Sequence, residues 1–186
     1  MIPLLIPIRG IRSSMTRLRR DLDDDTVDAL VRKLLMQSLD AIPISDFEII
    51  VLTSDTELAR SLPHNTMLDA GSSLNYAVKV AVESINSKRV ALLMPDLPGN
   101  SSKVFNKIIC VHHLFDQYIV PTCDDGVAFA ILERDIWGEG LLGKDSYRHI
   151  LEYSDQLGKQ VASHIIHEIN RDLDTIDDYN YWINRM

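Results

Sequence analysis

The stretch Val90-Ala91-Leu92-Leu93-Met94-Pro95-Asp96-Leu97-Pro98 decides the fold of this chain. It begins as an unbroken apolar run, which is typical of a strand buried on both faces of a parallel sheet. Pro95 and Pro98 lack the backbone N–H that a sheet needs, so we expect the strand to end there. Asp96 would then lie beyond the carboxyl end of a buried strand, where open α/β sheets bind ligands. From this stretch alone, a metal or phosphate site and the cap of a following turn or helix explain Asp96 equally well.

Apolar segments of strand length alternate with helical segments along the whole chain. Strands are predicted at residues 3–8, 47–53, 64–68, 90–94, 118–121 and 127–132. Helices are predicted from about residue 25 and at residues 56–62, 74–82, 101–109 and 145–157, with a last helix after residue 175. Residues 69–73 are expected to form a loop, and residues 161–169 fit either a strand or a helix. The alternation indicates a three-layer α/β/α sandwich with a mixed, mainly parallel sheet, and we expect a single domain over residues 1–186.

Composition and charge exclude several classes of partner. The chain has 186 residues and a net charge of −8, and because nucleic-acid binding usually needs a basic face, no nucleic-acid partner is expected. The apolar segment 1–8 is too short to span a membrane and has no cationic segment before it, so no membrane partner is expected. Cys110 and Cys123 form no CxxC pair, which indicates a reduced, cytoplasmic protein.

A small basic loop, Arg9 to Leu18, follows the first predicted strand. Loops in this place often form phosphate sites in α/β proteins. The loop is neither a Walker loop nor a dinucleotide-binding loop, because it lacks the glycine patterns of both. A triphosphate site and a solvated basic loop are therefore both open interpretations.

Asp172 and Asp174 form a second candidate site near the end of the chain. In extended backbone, carboxylates at alternate positions point the same way, and Mg²⁺ is commonly held by one or two carboxylates together with phosphate oxygens. Asp96 could complete such a site. A second interpretation is a helix start, with Asp174 as the cap and Asp177 at the third helical position, and both interpretations can hold at once.

The segment Gly143 to Tyr147 is a third candidate. A glycine before a polar helix start can offer free backbone N–H groups to an anion. The alternative is that Ser146 is an ordinary helix cap. No part of the sequence resembles a Ser-His-Asp or Cys-His triad.

Six short motifs follow one another along the chain: Ile6-Pro7-Ile8-Arg9 with Thr16-Arg17-Leu18, Leu74-Asn75, Met94-Pro95-Asp96-Leu97-Pro98, Gly126-Val127-Ala128, Gly143 to Tyr147, and Asp172 to Tyr179. Taken in this order, they resemble the motifs of the 2-phospho-L-lactate guanylyltransferase family, which acts in deazaflavin-coenzyme biosynthesis. Each motif is short, and the order and spacing over most of the chain carry the resemblance.

The resemblance implies a nucleotide-diphospho-sugar-transferase-like (GT-A-like) fold and a Mg²⁺-dependent nucleotidyltransferase. Its expected partners are GTP and a small phosphorylated carboxylic acid, 2-phospholactate or similar, with release of pyrophosphate; a homodimer is left open. The resemblance implies catalytic roles for Asp96 and Arg17, and metal binding by Asp96, Asp172 and Asp174. It implies acceptor binding by Gly126, Gly143 and Ser146, and nucleotide binding by Pro7, Arg9, Thr16, Arg17, Leu74 and Asn75.

The sequence departs from this family mainly on the substrate side. Met15 stands where the family has a lysine, and Arg9 replaces a second lysine with a group of different shape. Val127-Ala128 stands where the family has Thr-Asn, and Asp124-Asp125 adds acidic charge beside the expected acceptor. These departures motivate an alternative, a non-catalytic nucleotide- or partner-binding member of the same fold. A cytidylyltransferase or glycosyltransferase on this fold is a third interpretation.

Overall fold

The computed structural model of the protein describes residues 1–69, 73–137 and 141–184. Its strands are β1 (Ile2–Pro7), β2 (Phe47–Thr53), β3 (Asn65–Leu68), β4 (Arg89–Leu93), β5 (Gln117–Pro121), β6 (Val127–Glu133) and β7 (Val161–Ser163). Its helices are α1 (Asp24–Ala41), α2 (Thr56–Ser61), α3 (Leu74–Ser84), α4 (Ser102–His112), α5 (Ser146–Gln156) and α6 (Ile176–Ile183). Across these described ranges, every helix is too short or too polar to cross a membrane.

All seven strands form one sheet in the order β3-β2-β1-β4-β6-β5-β7. Strand β1 pairs in parallel with β2 and β4, β2 pairs in parallel with β3, and β5 pairs in parallel with β7. Only β6 runs antiparallel to its neighbours β4 and β5. The predicted mixed, mainly parallel sheet is therefore confirmed. The decisive apolar run forms β4, the middle strand, in which residues 90–93 have no exposed surface.

Successive side chains of the central strands enter two separate hydrophobic cores. On β1, Leu4 and Ile6 face the core formed with α1 and α4, whereas Leu5 faces the core formed with α3 and α5. This division follows from the alternation of side chains along a strand. It explains the unbroken apolar runs, because both faces of the sheet are covered by helices. The predicted three-layer arrangement is confirmed.

The predicted elements agree with the observed ones within a few residues, but two predicted helix caps are wrong. Asp174 does not cap α6; Thr175 does, and Asp178 closes a reciprocal capping box with it. Ser146 is the first residue of α5, and the N-cap is Asp145. Asp145 has a left-handed φ of 59°, and its side chain makes no cap hydrogen bond. The ambiguous segment 161–169 contains β7 and a short 3₁₀ turn. The loop predicted at residues 69–73 is described only at its ends, because residues 70–72 lie outside the described part.

The sheet has a topological switch point between β1 and β4. From β1 the chain adds β2 and β3 on one side and then returns to place β4 on the other side. The connections after β1 and β4 therefore diverge, which opens a crevice at the carboxyl ends of these two strands. Arg9 leaves β1 at this crevice, and Met94 to Asp96 leave β4 there.

The C-terminal segment crosses the same end of the sheet and is fixed by backbone contacts. Leu173 N–H donates to the carbonyl of Asp96 at 2.9 Å, and Cys123 N–H donates to the carbonyl of Asn170 at 2.7 Å. A Cβ on Gly99 would lie 1.6 Å from the carbonyl oxygen of Glu168, so this crossing requires glycine. The crossing brings Asp172 and Asp174 to the crevice.

We predict that Gly99→Ala lowers the free energy of unfolding by about 3 kcal/mol or more, because neither backbone can yield without breaking the crossing. Thermal and urea unfolding of the purified variant measure this loss. The matched control is Gly10→Ala, whose Cβ would meet side-chain atoms of Asp55 at a milder 3.0 Å. Equal stability of Gly99→Ala and the unmodified protein would show that the crossing is not tight.

Candidate active site

Two adjoining cavities open at the crevice between β1 and β4. The first cavity measures about 200 Å³ and is lined, among others, by Pro7, Arg9, Met15, Asp69, Leu74 and Asp96. The second cavity measures about 440 Å³ and is lined, among others, by Arg17, Asp96, Gly126, Lys144, Ser146 and Asp172. Asp96, Leu74 and Met94 line both. The site predicted from the end of β4 is thus the boundary between two binding spaces.

Asp96 has a half-buried side chain, and one of its two carboxylate oxygens lacks a hydrogen-bond partner. Its Oδ1 atom is buried and accepts no hydrogen bond. Burial, and then the negative charges of Asp172, Asp174 and Asp124, raise the pKa of Asp96 to about 7. The alternative role as a helix cap does not apply, because Ser101 caps α4. The surroundings of Asp96 favour a proton or a cation.

The other two predicted metal ligands lie near Asp96 but in different local settings. Burial, and then the charges of Asp124, Asp178 and Asp174, raise the pKa of Asp172. The Oδ2 atom of Asp174 instead forms an ion pair with Nη1 of Arg17 at 2.5 Å. In the parts of the chain that the structure describes, no three acidic, His or Cys side chains form a ready-made metal site. Joint metal binding by Asp96, Asp172 and Asp174 therefore stays a prediction.

The acidic start of α1 neutralises Arg12 of the basic loop and also Arg19, which follows the loop. Arg19 binds Asp24 and Asp28 and also donates to the carbonyls of Ile11 and Ser14. Arg12 forms ion pairs with the same acidic turn. These contacts hold the loop against α1, so Arg12 and Arg19 serve the fold here and are already paired with carboxylates.

The residues predicted to bind nucleotide divide into three groups. Pro7, Arg9 and Leu74 line the first cavity together. Arg17 lines the second cavity, and Thr16 is exposed on the loop between them. Asn75 directs its amide to the backbone of Leu142, with hydrogen bonds of 2.8 and 2.7 Å. The structure therefore brings three of the six residues into one cavity.

The predicted acceptor residues Gly126, Gly143 and Ser146 line the second cavity together. A Cβ at Gly126 would lie 2.4 Å from Oγ1 of Thr122, so a larger residue there would displace the Thr122 side chain. The expected anion site on the backbone of α5 is partly occupied, since Ser146 N–H donates to the carbonyl of Gly143 and Tyr147 N–H donates to that of Asp125. An anion at this wall would meet the Ser146 side chain rather than these two N–H groups.

Sequence reasoning missed two charged residues of the cavities. Asp69, which follows β3 as Asp96 follows β4, lines the first cavity, and Lys144 is an exposed cation on the second. A search for acidic residues at the end of each predicted strand would have found Asp69. Lys144 had no such signal beyond its place in the Gly143 to Tyr147 motif.

The departures from the family motifs have unequal importance. Met15 lines the first cavity with a left-handed φ of 53° and packs against the core beside α1. Val127 lines the second cavity, whereas Ala128 is fully buried in the sheet and belongs to the core. Met15 and Val127 therefore change the cavities, and Ala128 does not.

A family model described as guanylyl transferase CofC-like matches residues 2–178 of this chain. The chain belongs to this family. The phosphoenolpyruvate guanylyltransferase of Roseiflexus sp. (strain RS-1) is 27% identical over 96% of this CofC-like chain and 83% of its own length. The 2-phospho-L-lactate guanylyltransferase of Methanocaldococcus jannaschii is 25% identical, over 70% of this chain and 59% of its own. The predicted nucleotidyltransferase family is confirmed.

Solved structures of low identity share the fold of this CofC-like protein. A protein from Desulfovibrio desulfuricans G20, assigned to the nucleotide-diphospho-sugar transferases, has a TM-score of 0.80 at 19% identity over 98% of this chain and 87% of its own. A manganese complex of a Mycobacterium tuberculosis H37Rv protein has a TM-score of 0.60 at 17% identity over 100% and 99%. The predicted nucleotide-diphospho-sugar-transferase-like fold is confirmed.

We predict that Asp96→Asn stabilises the metal-free protein in a pH-dependent way. The folded protein keeps Asp96 protonated up to about pH 7, whereas the unfolded chain ionises it near 3.8, so stability falls between these pH values. The variant lacks this loss. Its free energy of unfolding should exceed that of the unmodified protein least at pH 4, and by the order of 1–4 kcal/mol at pH 8. Urea unfolding with a chelator present measures it. An equal gain in the free energy of unfolding at both pH values would contradict the raised pKa of Asp96. The control is Asp177→Asn, which removes an exposed carboxylate.

Proposed function

We propose that this protein is a Mg²⁺-dependent guanylyltransferase that joins the GMP moiety of GTP to the phosphate of a small phosphorylated carboxylic acid. The observation that carries the proposal is the uncompensated carboxylate of Asp96 at the boundary of two cavities. A transfer between two substrates needs adjoining binding spaces and a centre of charge compensation where they meet. The guanylyltransferase names of the family and of its relatives support GTP and a phosphorylated acid as substrates.

The residues around Asp96 fit a divalent cation of the Mg²⁺ type. Hard cations prefer carboxylate oxygens, and the buried Oδ1 of Asp96 lacks any other partner. Asp96 and Asp172 would hold the ion, with Asp174 as a third ligand once it leaves Arg17. When bound, the ion supplies positive charge to the phosphate groups. The related manganese-bound structure supports a divalent metal in this fold.

In the proposed reaction, an oxygen of the acceptor phosphate attacks the α-phosphorus of GTP, and the bond to the β-phosphate breaks to release pyrophosphate. The first cavity, with its largely apolar walls at Pro7, Leu74 and Met94, would hold the nucleoside. The second cavity would hold the acceptor, with Arg17, Lys144 and the Ser146 hydroxyl as its anion-binding groups. The protein then contributes mainly orientation and charge neutralisation.

A second candidate function is nucleotide binding without turnover. Met15 favours it, because an apolar side chain fills part of the first cavity where the family motif has a lysine. Lys144 and Arg17 favour catalysis instead, since both place positive charge at the second cavity. Binding of GTP without pyrophosphate release would separate the second candidate from the first.

We predict that GTP, Mg²⁺ and either phosphoenolpyruvate or 2-phospholactate yield pyrophosphate, and that Asp96→Asn lowers kcat at least about a thousandfold. A coupled pyrophosphate assay measures the rate, and circular dichroism checks the fold. The matched control Asp177→Asn removes an exposed carboxylate of α6 and should keep its activity. Turnover by Asp96→Asn at the normal rate would refute the assigned role of Asp96.

We also predict that Lys144→Ala raises KM for the acceptor about tenfold, with little change in KM for GTP. The reason is that Lys144 offers an exposed cation to the second cavity but does not line the first. Steady-state kinetics with each substrate varied in turn measure the split, and exposed Lys33→Ala on α1 is the charge-matched control. An unchanged acceptor KM would remove Lys144 from the binding groups.

A further inference from the structure

Asn75 binds the backbone of a distant loop with its whole amide group. Its Nδ2 donates to the carbonyl oxygen of Leu142 at 2.8 Å, and Leu142 N–H donates to its Oδ1 at 2.7 Å. One side chain thus satisfies both hydrogen-bonding groups of one residue, much as a neighbouring strand would. Each group of the amide makes one bond in this contact, so the contact itself fixes the orientation of the amide toward Leu142.

The loop that Asn75 holds forms a wall of the second cavity. Leu142, Gly143, Lys144 and Ser146 all line that cavity. The loop contains two residues with positive φ, Gly143 at 121° and Asp145 at 59°. Such backbone is unfavourable for a residue other than glycine, so surrounding contacts must hold its path.

A second contact fixes the far end of the same loop. Tyr147 N–H donates to the carbonyl of Asp125 at 2.9 Å, which joins the start of α5 to the turn between β5 and β6. Lys144 and Ser146 therefore lie between two anchors. The anchor at Asn75 belongs to α3, whose first residue, Leu74, lines both cavities.

We propose that Asn75 is a positioning residue for the acceptor, which it serves by holding residues 142–146 against α3. This assignment differs from the nucleoside-binding role implied by the family resemblance. Its structural part stands on the two hydrogen bonds alone, and its kinetic part rests on the proposed guanylyltransferase function. Loss of the amide frees the loop that carries Lys144 and leaves the first cavity intact.

The first test is tryptic cleavage after Lys144 in the full-length protein, followed by mass spectrometry. Asn75→Ala removes two hydrogen bonds from the closed loop, so cleavage at this bond should be at least about tenfold faster than in the unmodified protein. The control Val80→Ala alters an exposed position of α3 and should leave the rate unchanged. An unchanged rate in Asn75→Ala would overturn the proposal. If that variant does not fold, Asn75→Ser gives the same comparison, because its short side chain cannot reach both groups.

The second test separates the two substrates kinetically. Asn75→Ala should raise KM for the phosphorylated acid about tenfold, while KM for GTP stays within about twofold. The opposite split, a raised KM for GTP alone, would show that Asn75 reads the nucleoside and would overturn the proposal. If the unmodified protein has no turnover, the proposed function fails, and the cleavage rate still decides the role of Asn75.

Discussion

A carboxyl oxygen that is removed from water needs a proton, a cation or a hydrogen-bond donor, and the buried Oδ1 atom of Asp96 has no donor. The sheet itself creates this condition. Strand β4 is buried on both faces, and Asp96, which lies shortly beyond its end, is only partly exposed and lines both cavities. The C-terminal segment then closes over the turn and brings Asp172 close enough to raise the pKa of Asp96 further. The fold thus builds a place where positive charge is strongly favoured.

The ion pair between Arg17 and Asp174 connects the first loop with the C-terminal segment, and its Arg17 also lines the second cavity. Both side chains are substantially exposed, so the pair contributes little to stability and can exchange partners readily. In the proposed reaction, phosphate would attract Arg17 and a cation would attract Asp174. Exchange of the ion pair for these two ligands would therefore assemble the site without rearranging the core.

The fold was predictable because local patterns and burial agree. The apolar runs of β1, β4 and β6 follow from helices on both faces, and the caps Asp23 and Ser101 use ordinary side-chain hydrogen bonds. The position of Asp96 was also predictable, since a buried strand that ends at proline puts the next side chain at the switch point. The order of the short motifs predicted the family to which the chain belongs.

The parts that could not be predicted depend on which of several polar partners a side chain takes in the folded protein. The partners of Arg12 and Arg19 on α1 and the partner of Asn75 at Leu142 have no local sequence pattern. The cap of α6 was predicted one residue too early, because Asp174 and Thr175 both suit a helix start and the capping box with Asp178 favours Thr175. The hydrogen bonds of the folded protein, both local and long-range, therefore decide which polar residues face a cavity and which ones hold a loop.

The most direct test of this account is a crystal structure with Mn²⁺ and a non-hydrolysable GTP analogue, with the metal located by its anomalous signal. We predict a manganese ion coordinated directly by Asp96, between the nucleotide phosphates in the first cavity and the second cavity. A nucleotide bound there with no ion at Asp96, or an ion bound only at other carboxylates, would contradict the central role of this side chain.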